Sequence, residues 1–230
     1  MARYAFSDLH GRLDLFNKII DFIQPDDIVY CLGDCGDRGP DSWATIKAVY
    51  EHPQCYYLKG NHEDMLIKAM KTYLSTGKLF GHDYNLLVYN GGLNTFQEWL
   101  KEKDFADWVI KLDELPTIAS LKNDKNNLVI MTHAGYTPGG ELPCEDDLLW
   151  DRIHLYDPFP NEYQNTIIIH GHTPIQYIKR EGIVEIDSCT LAYSDGHKIN
   201  LDCGAVNSGV VALINLDTYE IHKLYGSEWD

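Results

Sequence analysis

Basic side chains are scarce in this sequence. Its 230 residues include 19 lysines and arginines against 35 aspartates and glutamates, which gives a formal net charge of −16. A nucleic-acid binder needs a basic surface to neutralise phosphates, so this charge balance argues against that class of protein. Only a few of the acidic side chains can serve a metal site, and the others are expected on the surface.

Long apolar runs and cysteine pairs of the zinc-binding type are also missing. No run approaches the roughly 20 apolar residues of a membrane helix, and no basic segment with an apolar stretch opens the chain. We therefore expect no membrane association and a cytoplasmic location. The six cysteines contain no C-x-x-C pair. Cys31 and Cys35 flank the end of a predicted strand and are expected to be buried free thiols.

The first third of the sequence repeats an order of strand, polar loop and helix. The apolar patterns predict strands at 3–6, 28–32 and 55–58, and helices at 13–23, 42–50 and 63–74. This order is typical of an α/β architecture, and the length favours a single domain over residues 1–230. Residues 72–115 show helix-like spacing without a strand, which predicts a helical insertion beside the site. Further strands are predicted at 117–121, 128–132, 166–169, 183–186, 199–202, 210–214 and 220–225.

Short polar strings follow many of these strands. They are Asp8-Leu9-His10, the Gly33–Gly39 string, Gly60-Asn61-His62-Glu63, His133-Ala134-Gly135, Trp150-Asp151-Arg152 and Gly171-His172. Carboxylate, imidazole and amide groups suit a divalent metal, and Asp34 is the natural carboxylate to bridge two ions about 3.5–4 Å apart. Arginines would hold phosphoryl oxygens, and a histidine outside the metal shell would protonate the leaving oxygen.

Together these strings resemble the calcineurin-like metallophosphoesterases, in particular the phosphoprotein phosphatase branch and its small bacterial and bacteriophage members. The strings occur in the family order from residue 8 to residue 172, and a Gly204-Ala205-Val206 string also fits. The resemblance implies a β-sandwich of two sheets flanked by helices, with the metal ligands on loops at strand ends.

The resemblance also implies a role for each matching residue. One metal ion would be held by Asp8, His10 and the bridging Asp34, and the second by Asp34, Asn61, His133 and His172. His62 would be the proton donor, oriented by Asp37, while Arg38 and Arg152, with Asn61, would bind the substrate phosphate. Two manganese ions are the expected pair, and iron, zinc or nickel would also suit these ligands.

Residues 72–126 and the C-terminal region contain no other family string, and 187–198 resembles an insertion between late strands. Substrate preference is expected to depend on these parts. No pattern indicates oligomerisation, so we expect a monomer.

Three functions remain open. The first is hydrolysis of phosphate monoesters by a hydroxide shared between two metal ions, as a serine/threonine protein phosphatase, with activity on phosphotyrosine left open. The second is hydrolysis of symmetrical dinucleoside polyphosphates such as diadenosine tetraphosphate, or of another small phosphoester. In that neighbouring branch the second string tends to lack the aspartate found here at Asp37, and the third ends in aspartate where Glu63 stands. The third is a non-enzymatic scaffold, which is disfavoured because no ligand or proton donor is missing.

Overall fold

The computed structural model describes residues 1–139, 143–178, 193–194 and 196–227. Its strands form two five-stranded sheets, each with both parallel and antiparallel neighbours. The first sheet has the order β10 (Ile221–Tyr225), β9 (Val210–Asn215), β1 (Arg3–Phe6), β2 (Ile28–Cys31) and β3 (Cys55–Tyr57). The second has the order β4 (Ile118–Lys122), β5 (Leu128–Thr132), β6 (Thr166–His170), β8 (Lys198–Asn200) and β7 (Tyr193–Ser194).

Parallel pairing brings the polar strings to the same edge of each sheet. In the first sheet β1, β2 and β3 are parallel, with Phe6 beside Cys31 and Cys31 beside Tyr57. In the second sheet β5, β6 and β8 are parallel in the same way. The loops that leave the carboxyl ends of parallel strands are the usual place for a site in α/β proteins.

Helices cover the face of the first sheet that is turned away from the second sheet, and four of them lie between β3 and β4 in the chain. The helices are α1 (Leu13–Phe22), α2 (Ser42–Glu51), α3 (Asn61–Thr76), α4 (His82–Tyr89), α5 (Leu93–Trp99), α6 (Phe105–Asp113), α7 (Glu145–Trp150) and α8 (Ala205–Ser208). Short 3₁₀ turns occupy Ile153–Leu155, Asn161–Tyr163 and Ile175–Tyr177. The helical segment predicted for 72–115 is confirmed as the end of α3 followed by α4, α5 and α6.

Two large apolar clusters hold these layers together. One contains buried side chains from both sheets, including Ala5, Val129 and Ala212, so the sheets face each other as a sandwich. The other packs the helices onto the first sheet and includes Phe16 and Trp99. The predicted two-sheet sandwich with flanking helices is therefore confirmed. Burial of these apolar side chains is the main force that holds the two sheets together and so fixes the positions of their edges.

Most predicted strands differ from the observed ones by a residue or two, and one difference matters for the site. The strand predicted at 199–202 ends at Asn200, because the Asn200 side-chain oxygen accepts the backbone N–H of Asp202 at 2.9 Å and turns the chain. Asp202 therefore lies in a loop. The strand predicted at 183–186 and most of the insertion predicted at 187–198 lie outside the described residues.

The cysteines at the end of β2 and the lengths of the described helices agree with the sequence-based expectations. Cys31 and Cys35 are buried free thiols whose sulfur atoms lie 3.2 Å apart. Within the described ranges, every helix is too short or too polar to cross a bilayer.

Candidate metal centre

Loops from both sheets bring the candidate ligands into one buried cluster. The loop after β1 supplies Asp8 and His10, the loop after β2 supplies Asp34, and the start of α3 supplies Asn61. His133 follows β5 and His172 follows β6. All six side chains are less than a tenth exposed. Buried charged and polar side chains require hydrogen-bond or ionic partners, and a bound cation would provide such a partner.

The loops that carry these residues have an unusual backbone conformation. Eight non-glycine residues of the described chain have a positive φ, and six of them belong to the predicted site: Asp8, His10, Asp34, Asp37, Arg38 and His172. Left-handed backbone at a non-glycine residue costs about 1–3 kcal/mol and persists where the surroundings enforce it. Here the backbone N–H of His10 donates to the carbonyl of Asp34 at 2.9 Å, which ties the first two loops together.

Asp34 lies at the centre of the cluster. One group of potential ligand atoms, all within 4.8 Å of one another, comes from His10, Asp34 and His62, and a second comes from Asp34, His133 and His172. One Asp34 oxygen is 3.4 Å from His133 Nε2 and the other is 3.7 Å from His10 Nε2. The carboxylate thus faces both groups, as a bridging ligand must.

Two of the histidines are oriented by backbone carbonyls. His10 Nδ1 lies 3.0 Å from the carbonyl oxygen of Gly36, and His133 Nδ1 lies 2.8 Å from that of Leu32. A carbonyl only accepts, so Nδ1 of each ring carries the proton. Nε2 of each ring is then directed into the cluster, which is the arrangement found in metal-binding histidines.

A second convergence surrounds Asn61. Its side-chain oxygen is 2.8 Å from His133 Nε2 and 2.9 Å from His172 Nδ1, and the two nitrogens are 3.2 Å apart. Nε2 of His172 is buried without a hydrogen-bond partner. Burial, with the charges of His133 and Arg152, lowers the pKa of His172 to about 2, so the ring is neutral. Converging amide oxygen and imidazole nitrogen atoms fit a divalent cation, whose binding displaces the proton of a histidine ligand.

Asp8 lies beside these groups, outside both of the two sets of converging ligand atoms. Its carboxylate oxygens accept the backbone N–H of His172 at 3.2 and 3.0 Å. Burial, together with the nearby charge of Asp34, raises the pKa of Asp8 to about 6, while His133 opposes the shift. Its assignment as a metal ligand stays a prediction from the sequence.

Behind His62 lies a chain of buried hydrogen bonds. His62 Nδ1 is 2.7 Å from Asp37, the hydroxyl of Thr95 donates to the other Asp37 oxygen at 2.5 Å, and the Asp37 backbone N–H donates to Thr95 Oγ1 at 3.2 Å. Burial lowers the pKa of His62, but the charges of Asp34 and Asp37 outweigh it and raise the pKa above its usual value. A histidine that keeps its proton suits a general acid.

Both predicted arginines border the same cleft. Arg38 donates to Nε2 of His10 at 2.9 Å and lies 2.8 Å from Nε2 of His62. The cleft has a volume of about 560 Å³, and its walls include Arg38, Arg152, His10 and His172. The structure therefore places two guanidinium groups beside the candidate metal ligands.

Three functional residues were not found from the sequence. Glu63 accepts the backbone N–H groups of Asp34, Cys35 and Gly60 at 2.8–2.9 Å, so it fixes the loop that carries the central carboxylate. The sequence placed Glu63 in a motif but gave it no role. Thr95 carried no signal at all, because its partner Asp37 is 58 residues away.

The third missed residue is Asp202, which lines the cleft and is buried. Burial and the charge of Asp8 raise its pKa well above the usual value. An apolar strand followed by Asp-Cys-Gly was the signal that could have identified it.

Comparison with known proteins agrees with this geometry. The calcineurin-like phosphoesterase family matches residues 1–180, and the chain therefore belongs to that family. Among curated proteins, the chain is 28% identical over 147 residues to a symmetrical bis(5′-nucleosyl)-tetraphosphatase of Wigglesworthia glossinidia brevipalpis. The match covers 62% of this chain and 47% of the relative, so the chain spans about half the length of the curated relatives it matches.

Solved structures support the fold. A structure described as a candidate diadenosine tetraphosphatase superimposes with a TM-score of 0.64 at 18% identity, covering 99% of this chain and 94% of the other. A serine/threonine protein phosphatase of Saccharomyces cerevisiae gives a TM-score of 0.61 at 13% identity, covering 100% and 81% of the two chains. At these identities the likeness establishes the fold, and it does not separate the two branches.

Proposed function

We propose that the protein is a metal-dependent phosphoric ester hydrolase that acts on symmetrical dinucleoside polyphosphates. The observation that carries this proposal is the position of Arg38 and Arg152 in one cleft with His10 and His172, one candidate metal ligand from each group. The tetraphosphatase names of the curated relatives support the substrate class.

The proposed metal shell follows the donor atoms. Asp8, His10 and Asp34 would hold one ion, and Asp34, Asn61, His133 and His172 the other, with manganese as the proposed metal. When bound, such a pair supplies Lewis acidity and an acidified water. The convergence of Asn61 Oδ1 with the imidazole nitrogens of His133 and His172 supports this shell.

The remaining steps depend on the protein's own side chains. Arg38 and Arg152 would bind phosphoryl oxygens and stabilise the charge that develops on them. Asp37 holds Nδ1 of His62, which leaves the Nε2 proton for the leaving oxygen. Arg38 now lies against His62 Nε2, so both would turn their donors to the same phosphate when substrate binds.

A second candidate is a serine/threonine protein phosphatase. Asp37 and Glu63 favour this candidate, because the tetraphosphatase branch tends to lack both residues at these positions. The hydrogen bond between Asp37 and His62 supports the assignment of this aspartate to the site. The net charge of −16 also opposes the approach of a highly charged polyphosphate.

A direct competition assay separates the two candidates. Manganese-loaded protein is given a phosphothreonine peptide and diadenosine tetraphosphate at equal concentration, and loss of each is followed by chromatography. Faster loss of the dinucleotide supports the proposal, whereas faster dephosphorylation of the peptide overturns it in favour of the second candidate. Turnover of neither, with metal bound, would favour a scaffold.

The His62→Asn variant is the internal control for this assay. We expect turnover to fall by about 10²–10⁴-fold, the usual contribution of a general acid, while metal content measured by elemental analysis stays the same. Loss of metal in this variant would contradict the assignment of His62 as proton donor.

A further inference from the structure

We propose that Tyr156 and Tyr177 form an aromatic subsite that stacks against a nucleobase of the substrate. The inference rests on the proposed function and deepens it, because it names the part of the substrate that the cleft recognises beyond phosphate.

Both tyrosines line the cleft that contains Arg38 and Arg152. Tyr156 follows the 3₁₀ turn after Arg152, and Tyr177 ends the 3₁₀ turn that begins three residues after His172. Each ring is thus carried by a short turn that begins within three residues of a predicted site residue. The aromatic subsite is therefore part of the same cleft as the phosphate-binding groups.

The two turns are fixed to each other by a separate apolar cluster. Leu155, Ile175 and Ile178 are buried together. Leu155 precedes Tyr156 in the sequence. Ile178 follows Tyr177, and Ile175 begins the turn that ends at Tyr177. The backbone N–H of Ile175 also donates to the carbonyl of Asp202 at 3.0 Å. The backbone beneath both rings is consequently held in place, as a preorganised binding surface requires.

The rings themselves remain in solvent. Tyr156 is 61% exposed and Tyr177 is 70% exposed, although Leu155 and Ile178 beside them are buried. Exposed aromatic side chains on a rigid cleft wall are typical of ligand contacts, and a tyrosine offers a flat face with little rotamer entropy to lose.

Charge favours a base as the occupant. Arg38 and Arg152 are the only arginine or lysine side chains that line the cleft within the described chain. A dinucleoside polyphosphate carries several negative charges against a protein of net charge −16. Stacking of a neutral base adds affinity without further cationic groups, which compensates for the small number of basic side chains.

Binding of AMP and of inorganic phosphate tests the aromatic subsite independently of turnover. Both ligands are titrated calorimetrically into manganese-loaded His62→Asn protein, alone and combined with Tyr156→Ala or Tyr177→Ala. We expect at least one alanine variant to weaken AMP binding by about fivefold to a hundredfold, the range for loss of one base stack, and to leave phosphate binding unchanged. The corresponding phenylalanine variant should keep the affinity for AMP, because the ring face is retained.

The matched control is Tyr89→Ala, since Tyr89 is 89% exposed at the end of α4 and does not line the cleft. It should leave both affinities unchanged. Equal weakening of AMP and phosphate by the alanine variants, or no change in either, would overturn the aromatic subsite.

Failure of the subsite and failure of the proposed function have different signatures. Hydrolysis of diadenosine tetraphosphate by the wild type, with AMP affinity insensitive to both alanine variants, would refute the aromatic subsite alone. The opposite pattern, with no dinucleotide hydrolysis but AMP affinity that depends on the rings, would refute the proposed function and support the subsite.

Discussion

Replacement of Gly171 by alanine should disrupt the metal centre although no candidate ligand is replaced. A Cβ atom at Gly171 would lie 2.0 Å from an Asp8 carboxylate oxygen and 2.1 Å from the hydroxyl oxygen of Ser7. Ordinary contacts at a Cβ begin near 3.4 Å, so the neighbours must move by more than an ångström. Asp8 and Ser7 are 1% and 2% exposed, so both side chains are enclosed by groups that must move with them.

The size of the effect follows from this displacement. Overpacking of a buried site costs about 1–3 kcal/mol of the free energy of unfolding. A misplacement of about 1 Å at a reacting centre lowers the rate by about 10²-fold. We therefore expect Gly171→Ala to lose at least this much activity, together with a weaker affinity for manganese.

The assay combines a urea unfolding curve, calorimetric titration of manganese and the hydrolysis rate of p-nitrophenyl phosphate. Gly77→Ala is the control: Gly77 ends α3 with φ of 68° and a Cβ there meets nothing within 4 Å. It should cost about 1 kcal/mol of stability through backbone strain and leave metal affinity unchanged. Normal metal affinity and activity in Gly171→Ala would refute the position of Asp8 beside Gly171 as part of the metal centre.

Three further predictions concern other parts of the chain. Asp34→Asn should lower the occupancy of both metal ions, and loss of only one ion in elemental analysis would contradict the bridging role. Thr95→Val removes the hydroxyl that holds Asp37 and, through it, the proton donor His62. We expect kcat to fall more for an alkyl phosphate than for p-nitrophenyl phosphate, because the nitrophenolate leaving group needs little protonation. Equal losses for both substrates would indicate a purely structural role. The Arg12 guanidinium lowers the pKa of Asp14, so this pair stabilises the fold above the unfolded-state pKa of about 4 and less as the pH falls through the folded-state value. The gap in urea midpoint between wild type and Asp14→Asn should therefore shrink below about pH 4, and a constant gap would show that the charge of Asp14 is not involved.

The residue types and their order are determined by the sequence alone. The strand and helix patterns, the helical segment over 72–115 and the polar strings at strand ends could all be identified from local spacing. Parallel strands then require the strings to meet, because their carboxyl ends share an edge. That Asp34 of the first sheet lies with His133 and His172 of the second was implied by the family resemblance and not by strand pairing, because the two sheets share no edge.

Only the tertiary structure decided which atoms face one another. Thr95 reaches Asp37 because α5 packs beside the loop after β2, a contact that local periodicity does not encode. Asp202 enters the cleft because an asparagine side chain ends β8 two residues earlier than the apolar pattern suggests. The two exposed tyrosines share a wall because a small apolar cluster joins their turns. Such contacts depend on side chains far apart in the sequence, so they arise only when packing of the two sheets and their helices fixes the loops in space.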